Sequence, residues 1–373
     1  MARTRRYRLH PHGAFHFGER GVGVEETAEL LHSDTLFAAL VSAWRMLGLQ
    51  AGPDDLRLPL LDPFLERQPP FLISSALPFA GPLQLFPRPL LSLGREKALK
   101  EVRYVTPGAL RLIIQGAGLT PERAERELIQ GGQVWALPGE QAQIRQLLLA
   151  DEPNEKERER LTALWEREPA RLELWWAGDD LVPRVTLDRR NAAANLFHVG
   201  QLRFAHGCGL AFWANYTDEA YIEHLEAALT VLQEEGLGGK RSVGHGQFNC
   251  AVDDTPPEAL LDLADDDTAP TCQLTLSLYA PRPEEYELLG AAWYRRILRR
   301  GWIFSPEGRN LRRRGIWMLR EGSLLPAALP AAPLGLLADV QPEIGFEHPV
   351  WRYGYAFCLP LRLVSLGAPE EEG

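Results

Sequence analysis

Five glycines and an adjacent Lys–Arg pair occur in the stretch EEGLGGKRSVGHGQF, which spans residues 234–248. Glycine lets the main chain approach a ligand closely, and successive N–H groups in such a loop can point at phosphate oxygens. Lys240 and Arg241 would neutralise the phosphate charge. These residue types predict a phosphate-binding loop, whose phosphate belongs either to a nucleotide or to a nucleic acid.

A nucleotide-hydrolysing P-loop does not fit this stretch. The motif G-x-x-x-x-G-K-[ST] would need glycine at 234 and serine or threonine at 241, where the sequence has Glu234 and Arg241. The order is also reversed, because a helix pattern precedes the loop and a strand pattern follows it. We therefore expect a main-chain cradle for a nucleic-acid backbone. The alternative is a tight turn whose glycines only satisfy local geometry.

The elements that must position this loop are predicted from hydrophobic periodicity and turn residues. A strand and its exit loop are expected over 5–18, and a helix over 32–48 that Ser33 or Asp34 caps. A second helix, over 217–236, leads directly into the loop, and a strand follows from 247. The buried stripe of that second helix is predicted at Ile222, Leu225, Ala228, Leu229 and Leu232.

The order of elements predicts an α+β protein with two ferredoxin-like, RRM-type βαββαβ domains. The first covers 1–252 and contains a mainly helical insertion at about 94–169, where Thr120 is expected to cap a helix. An acidic linker is predicted over 253–271, a second domain over 272–366 and a tail over 367–373. The second domain is expected to contain a helix over 284–300.

Composition excludes several classes of protein. The four cysteines form no CxxC pair, which argues against a zinc ribbon and indicates a reducing, cytoplasmic compartment. No run of eighteen apolar residues occurs, so no membrane span is expected. No His, Cys and carboxylate cluster has ligand spacing, so neither a metal nor a cofactor is expected.

The net charge of −10 hides a basic window at 291–320, where nine arginines stand against Glu307. Such a window attracts anions, and it would face either RNA or an acidic surface of a protein partner. Four tryptophans lie in or near this window, and we expect them in the core rather than as base-stacking platforms. They are Trp293, Trp302, Trp317 and Trp351.

Four stretches resemble a known family. GLGGKRSVGHGQF, at 236–248, resembles the signature loop of RAMP proteins, the repeat-associated proteins of CRISPR systems. The others are FHFGERGVGVEETAELLHSDTLFAAL at 15–40, VPRVTLDRRNAAANLFHVGQLRF at 182–204 and HPVWRYGYAF at 348–357. Together they cover about a fifth of the chain and are similar to the fourth subunit of the Csm complex, the type III-A interference effector.

This resemblance implies a non-catalytic RNA-binding subunit built from two RAMP domains. Such a subunit holds the 5′ repeat-derived tag of the crRNA and caps the backbone filament. It joins the large polymerase-like subunit to the neighbouring backbone RAMP subunit. The implied partners are therefore the crRNA and these two proteins.

Recognition of a tag needs phosphate contacts together with bases that stack on aromatics or arginines. We expect these contacts from the loop at 236–248 and from the segment 188–191 with its neighbours. The predicted RNA-binding residues are His16, Arg189, Arg190, Asn191, Asn195, His198, Gly238, Gly239, Lys240, Arg241, Ser242, Gly244, His245 and Gly246.

Three other functions stay open. His16, with His32 or His245 as an acid–base partner, would suit a metal-independent endoribonuclease that processes precursor crRNA. Asp34 lies where the backbone RAMP subunit of the same complex carries its target-cutting aspartate, although a helix cap explains it without chemistry. A scaffold whose basic faces meet only proteins is the remaining alternative.

Overall fold

The computed structural model describes residues 3–18, 27–50, 58–91, 97–177, 182–187, 194–261, 269–303, 311–327, 333–343 and 349–364, with the backbone alone described in 97–98, 182–187 and 194–199. The α-helices of these ranges are α1 (Ser33–Met46), α2 (Asp62–Leu65), α3 (Lys97–Lys100), α4 (Pro107–Ile114), α5 (Pro121–Glu127), α6 (Pro138–Leu148), α7 (Glu155–Arg167), α8 (Ala220–Glu235) and α9 (Tyr286–Leu289).

The strands of the N-terminal half and its insertion are β1 (Arg3–Pro11), β2 (Phe71–Ile73), β3 (Leu77–Ala80), β4 (Leu83–Gln84), β5 (Phe86–Pro87), β6 (Tyr104–Val105), β7 (Leu128–Ile129), β8 (Val134–Trp135), β9 (Trp175–Ala177), β10 (Val182–Leu187), β11 (Ala194–Val199), β12 (Leu202–Phe204), β13 (Cys208–Tyr216) and β14 (Phe248–Asp253). Those of the C-terminal half are β15 (Cys272–Thr275), β16 (Arg296–Arg299), β17 (Ile316–Leu319), β18 (Leu324–Pro326), β19 (Leu337–Asp339), β20 (Trp351–Tyr353) and β21 (Cys358–Leu361).

An antiparallel sheet organises the N-terminal half. Its strand order is β14-β1-β13-β3-β4, and β2 also pairs with β13. The register places Leu9 of β1 opposite Leu210 of β13, and Pro11 of β1 opposite Phe248 of β14. Along the chain the elements run β1, α1, β2–β3, β13, α8, β14. In the sheet, the first strand, β1, lies between β13 and the last strand, β14.

Helices α1 and α8 pack together beside this sheet. The Trp44 indole N–H of α1 donates to the His224 carbonyl of α8 at 2.8 Å. The stripe predicted for α8 is confirmed, since its buried residues are Ile222, Leu225, Ala228, Leu229 and Leu232. Burial of such a stripe removes apolar surface from water, which stabilises the helix in its place.

From β5 to β9 the chain forms helices α3–α7 and a small sheet of order β5-β6-β8-β7. The predicted cap of α5 is confirmed, because the Thr120 hydroxyl accepts from the Arg123 N–H at 3.4 Å. Side chains of this region, such as Trp135 and Ile144, belong to the same hydrophobic core as Tyr7 of β1.

The described residues of the C-terminal half form small separate sheets with the pairings β18-β15-β21, β16-β17 and β19-β20. A second ferredoxin-like domain is therefore not confirmed by them. The two halves share one core, since Leu274 and Tyr353 lie in the hydrophobic cluster that contains Tyr7. Main-chain bonds also join them, and Ser75 N–H donates to the Leu276 carbonyl at 2.9 Å.

The helix predicted over 284–300 is wrong. Helix α9 ends at Leu289, and Arg296–Arg299 form strand β16, paired with β17. Gly290 lies at the end of α9, and the Trp293 N–H then donates to Leu324 at 2.8 Å. The pairing of β16 with β17 and the burial of Arg299 of β16 stabilise a strand here, although the spacing of the residues favours a helix.

That buried arginine is Arg299, which meets Asp34 at the start of α1. Arg299 donates twice to the Asp34 carboxylate at 3.0 Å, and Arg352 also donates to it. The predicted helix cap at Ser33 or Asp34 is therefore wrong, because Asp34 binds arginines and Ser33 Oγ accepts from the Leu278 N–H at 3.1 Å. Burial opposes ionisation of Asp34, but the two guanidiniums outweigh it and hold the pKa of Asp34 well below its usual range.

Asp34→Asn is expected to destabilise the protein by about 3–5 kcal/mol, because it leaves two buried guanidiniums without their carboxylate. The depressed pKa means that Asp34 contributes stability above pH ~4, and that this contribution is lost as the pH falls towards the folded-state pKa. Urea unfolding between pH 7 and pH 3 measures both effects.

The control for this measurement is Asp254→Asn, which removes exposed ion pairs with Arg3 and Arg5. Its cost should stay below about 1 kcal/mol. Equal destabilisation by the two variants, or an unchanged acid slope in Asp34→Asn, would show that the buried cluster does not hold the two halves together.

Candidate nucleic-acid interface

The glycine loop, residues 236–247, connects α8 to β14 and packs on the segment that leaves β1. Gly239 N–H donates to the His16 carbonyl at 2.8 Å, and Gly246 N–H donates to the Ala14 carbonyl at 2.9 Å. Leu237 N–H donates to the Gly246 carbonyl at 2.9 Å and closes the base of the loop. The loop therefore lies at the edge of the main sheet where β1 ends and β14 begins.

Close packing explains several of the glycines. A Cβ at Gly238 would lie 2.5 Å from the His16 carbonyl oxygen, and one at Gly246 would lie 2.3 Å from that of Leu237. Both residues also have positive φ angles, +86° and +91°, which favour glycine. These amides and glycines build the loop, so the prediction that successive glycine N–H groups point at phosphate is wrong for Gly239 and Gly246.

The outer part of the loop has a different character. Lys240 has a left-handed backbone, φ 61° and ψ 22°, and precedes a short 3-10 turn over Arg241–Val243. Lys240 and Arg241 are half-buried, whereas Ser242 and Gly244 are exposed and Val243 is 51% exposed. Basic side chains at the base of an exposed tip suit contact with an anionic strand.

Two of the predicted histidines, His16 and His245, lie beside the glycine loop. His16 is buried and its Nδ1 lies 2.8 Å from the Gly200 carbonyl oxygen, and a Cβ at Gly239 would touch the same ring at 2.9 Å. His245 is also buried, with its Nε2 3.3 Å from Nε2 of Gln201. The structure thus brings His16 and His245 together around the glycine loop.

His32 belongs to the core between the two halves and not to the loop. Its Nδ1 lies 2.8 Å from the Glu321 carboxylate, which also accepts from the Ser75 hydroxyl. Burial opposes ionisation of Glu321, but His32 and Ser75 together lower its pKa. The side chains of His32 and Asp34 are both buried.

The other predicted RNA-binding segment flanks strands β10 and β11, which pair from Val182↔Val199 to Leu187↔Ala194. Arg189, Arg190 and Asn191 lie outside the described residues. Asn195 and His198 lie on β11, where the backbone alone is described. Their contact with RNA stays a prediction.

Sequence reasoning missed a polar chain beside the loop. Strand β12 pairs with β9, and Arg203 faces Trp176 across this pair. Arg203 donates to the Gln201 side-chain oxygen at 3.2 and 3.0 Å, and Gln201 is the partner of His245. The sequence signal for this site was the adjacent pair Trp175–Trp176. Adjacent residues of a strand point to opposite faces, so the two tryptophans cannot both face the core.

The basic window forms an exposed ribbon, which we define as β16, β17 and their extension to the Trp302–Arg312 bridge. Trp302 and Trp317 are 51% and 57% exposed, so the core prediction is wrong for both. The Arg312 guanidinium lies 4.7 Å from the Trp302 ring centre, and that of Arg296 lies 5.5 Å from the Trp317 ring centre. Trp293 and Trp351 are partly buried against the main core.

In the described part of the chain, no helix is long and apolar enough to cross a membrane. Within the same residues, no group of three or more His, Cys, Asp or Glu side chains is arranged to hold a metal ion.

Comparison with known proteins finds similarity to one family. Residues 269–361 match the model of the CRISPR Csm4 C-terminal domain. A CRISPR system Csm4 protein of Methanocaldococcus jannaschii is 22% identical over 93% of this chain and 94% of its own length. One from Streptococcus thermophilus is 28% identical over 46% of this chain and 54% of its own length.

Solved structures show the same fold. A chain in the crystal structure of a Csm3–Csm4 subcomplex of the type III-A interference complex aligns with a TM-score of 0.65 at 18% identity, covering 96% of this chain and 99% of the other. A chain in a Csm1–Csm4 cassette with cA4 aligns with a TM-score of 0.52 at 17% identity, covering 97% and 99%. These matches confirm the resemblance to Csm4 proteins of type III CRISPR systems. The family model covers residues 269–361, and the similarity to a curated Csm4 protein extends over most of the chain.

Gly238→Ala is expected to lower the thermal midpoint and to displace the glycine loop, because the new methyl group would meet the His16 carbonyl and the Phe17 ring. Gly244→Ala is the matched control: Gly244 also has a positive φ, +84°, but a Cβ there meets nothing within 4 Å. The control should cost only the backbone strain, about 1–2 kcal/mol. Equal melting curves for the two variants would contradict the packing described here.

Proposed function

We propose that this chain is a non-catalytic RNA-binding subunit of the type III-A Csm interference complex. It holds the 5′ repeat-derived tag of the crRNA and bridges the large polymerase-like subunit to the backbone RAMP filament. The observation that carries the proposal is the glycine loop, which packs on the exit of β1 and presents Lys240 and Arg241 beside an exposed tip.

The fold of the N-terminal half supports this function. The order β1, α1, β2–β3, β13, α8, β14 and the adjacency of β14, β1, β13 and β3 match the βαββαβ pattern and support a ferredoxin-like, RRM-type unit. RRM folds bind single-stranded RNA. The similar solved structures contain Csm4 together with Csm3 and together with Csm1, which supports a position between two protein partners.

The backbone of Lys240 also supports RNA contact. A left-handed conformation costs a non-glycine residue about 1–2 kcal/mol, and glycine would adopt it without strain. Lysine at φ 61° therefore costs stability that glycine would not, inside a loop that uses glycine at several neighbouring positions. Strain of this kind is typical of residues whose side chain has a function.

The endoribonuclease alternative has less support. A general base must have a ring nitrogen available to the reacting hydroxyl. His16 is buried, which limits the access of a reacting hydroxyl to its ring, and His32 is engaged by Glu321 in the core. Asp34 is held by two arginines. These contacts favour structural or RNA-orienting roles over acid–base chemistry.

The exposed ribbon suits the large subunit better than RNA. One face of the ribbon is buried, since Met318 lies in a hydrophobic cluster against which Ile297 and Ile316 pack. The other face presents Trp302 and Trp317, whose rings are each already covered by an arginine. Tryptophan and arginine together are typical of the centres of protein interfaces. We assign this face to an acidic surface of the large polymerase-like subunit.

Lys240→Gly combined with Arg241→Ala should weaken RNA binding without loss of folding, since glycine fits the left-handed position. The slope of log Kd against log salt concentration should decrease by the amount that corresponds to the loss of about 1–2 phosphate contacts. Titration of labelled tag RNA at several salt concentrations measures this slope. Lys156→Ala with Arg160→Ala removes the same charge from α7 and should leave the slope unchanged.

An unchanged salt slope and full crRNA retention in the loop variant would refute tag binding by this loop. The same preparations are incubated with labelled repeat RNA in EDTA. Intact RNA is expected, whereas cleavage that disappears in His16→Ala would establish the endoribonuclease function instead.

Trp302→Ser with Trp317→Ser should reduce affinity for the large subunit at least about 30-fold, the effect of losing one interface hot spot. Surface plasmon resonance with the purified large subunit measures it. Tyr286→Ser, at another exposed aromatic of the C-terminal half, is the control. Loss of the backbone subunit or of crRNA with intact large-subunit binding would contradict the assignment.

A further inference from the structure

Strands β9 and β12 form a short ribbon, which the segment that leaves β1 joins to the glycine loop. Phe15 and Leu202 exchange both main-chain hydrogen bonds, at 2.8 and 2.9 Å, so β12 pairs with the segment that leaves β1. The next residue along that segment, His16, accepts the Gly239 N–H. Main-chain hydrogen bonds therefore fix the ribbon and the glycine loop to the same three residues of chain.

This ribbon presents a tryptophan to solvent. Trp175 is buried in the core, whereas Trp176 points the opposite way and is 41% exposed. Its indole N–H donates to the Glu173 carboxylate at 2.7 Å, which restrains the ring. A large, half-exposed aromatic held in one orientation is a surface on which a planar group can stack.

Arg203 lies directly opposite Trp176 on β12 and is exposed. Directly opposed residues of an antiparallel pair have Cβ atoms about 5 Å apart, so the guanidinium and the indole can contact the same ligand. Two donors of Arg203 bind the side-chain oxygen of buried Gln201, and Gln201 in turn contacts His245 of the glycine loop. An arginine has five N–H donors, so others remain for a ligand.

We infer that Trp176 and Arg203 bind an unpaired base of the single-stranded RNA whose backbone lies on the glycine loop. The aromatic ring supplies stacking, and the oriented guanidinium supplies hydrogen bonds to a base edge. This inference rests on the proposed function and deepens it, because phosphate contacts at Lys240 position a strand without reading its sequence. Trp176 and Arg203 add the base contact that tag recognition requires.

The experiment uses the full chain and two probes of equal length, a single-stranded RNA of the tag sequence and an abasic phosphodiester. Trp176→Ala should weaken RNA binding about 5- to 150-fold, the effect of removing one base–aromatic stack. It should leave both the abasic affinity and the salt slope unchanged. Trp176→Phe should recover part of the loss, and Arg203→Lys, which keeps the charge but not the planar fork, should weaken RNA binding selectively.

Fluorescence anisotropy gives the affinities, and melting curves verify folding, with Tyr286→Ala as an exposed-aromatic control. Unchanged RNA affinity in Trp176→Ala, while Lys240→Gly with Arg241→Ala still lowers the salt slope, overturns the base platform and leaves the proposed function intact. Equal loss for RNA and abasic probes also overturns it. Wild-type protein that binds neither probe overturns the proposed function, and the platform with it.

Discussion

The close main-chain approach of the glycine loop to the exit of β1 is the constraint on which the candidate site depends. Gly239 and Gly246 donate to the carbonyls of His16 and Ala14, and no side chain fits between these segments. The approach fixes where α8 ends and where β14 begins. The glycines therefore act mainly by building the loop, and the basic residues and the exposed tip are left to meet a ligand.

A second constraint, the buried charge cluster at Asp34, holds the two halves of the chain in one arrangement. Arg299 and Arg352 come from the C-terminal half and share a carboxylate at the start of α1. Arg313 lies near them, and burial, with the repulsion of Arg352 added, lowers its pKa to about 10. Helix α1 follows, along the chain, the segment that leaves β1 and contacts the glycine loop. The cluster therefore fixes the position of the exposed ribbon relative to α1.

Local patterns predicted the elements whose partners are close in sequence or whose apolar stripe is regular. Strands β1 and β14, helix α8 with its stripe and the Thr120 cap follow from spacing and capping residues alone. Prediction failed where a distant partner decides the conformation. Arg299 becomes part of a strand because Asp34, far away in the chain, requires a buried cation.

The same distinction between local and distant determinants applies to the candidate site. The sequence located the loop and its basic pair, because glycine and lysine types carry that signal. It did not show that the glycine amides are used inside the protein, since their acceptors, His16 and Ala14, lie more than two hundred residues earlier. It also missed Trp176, whose exposure depends on which of two adjacent tryptophans faces the core.

The overall acidity of the chain clarifies how such a site would select its ligand. With a net charge of −10, the protein as a whole repels RNA at long range, and the repulsion fades within a Debye length of about 8–10 Å. Attraction is then confined to the few places where basic side chains stand together. RNA that merely passes the surface gains little, whereas a strand that seats both its phosphates and a base gains several short-range contacts at once. A locally basic site on an acidic protein therefore favours one anchored RNA end over non-specific coating.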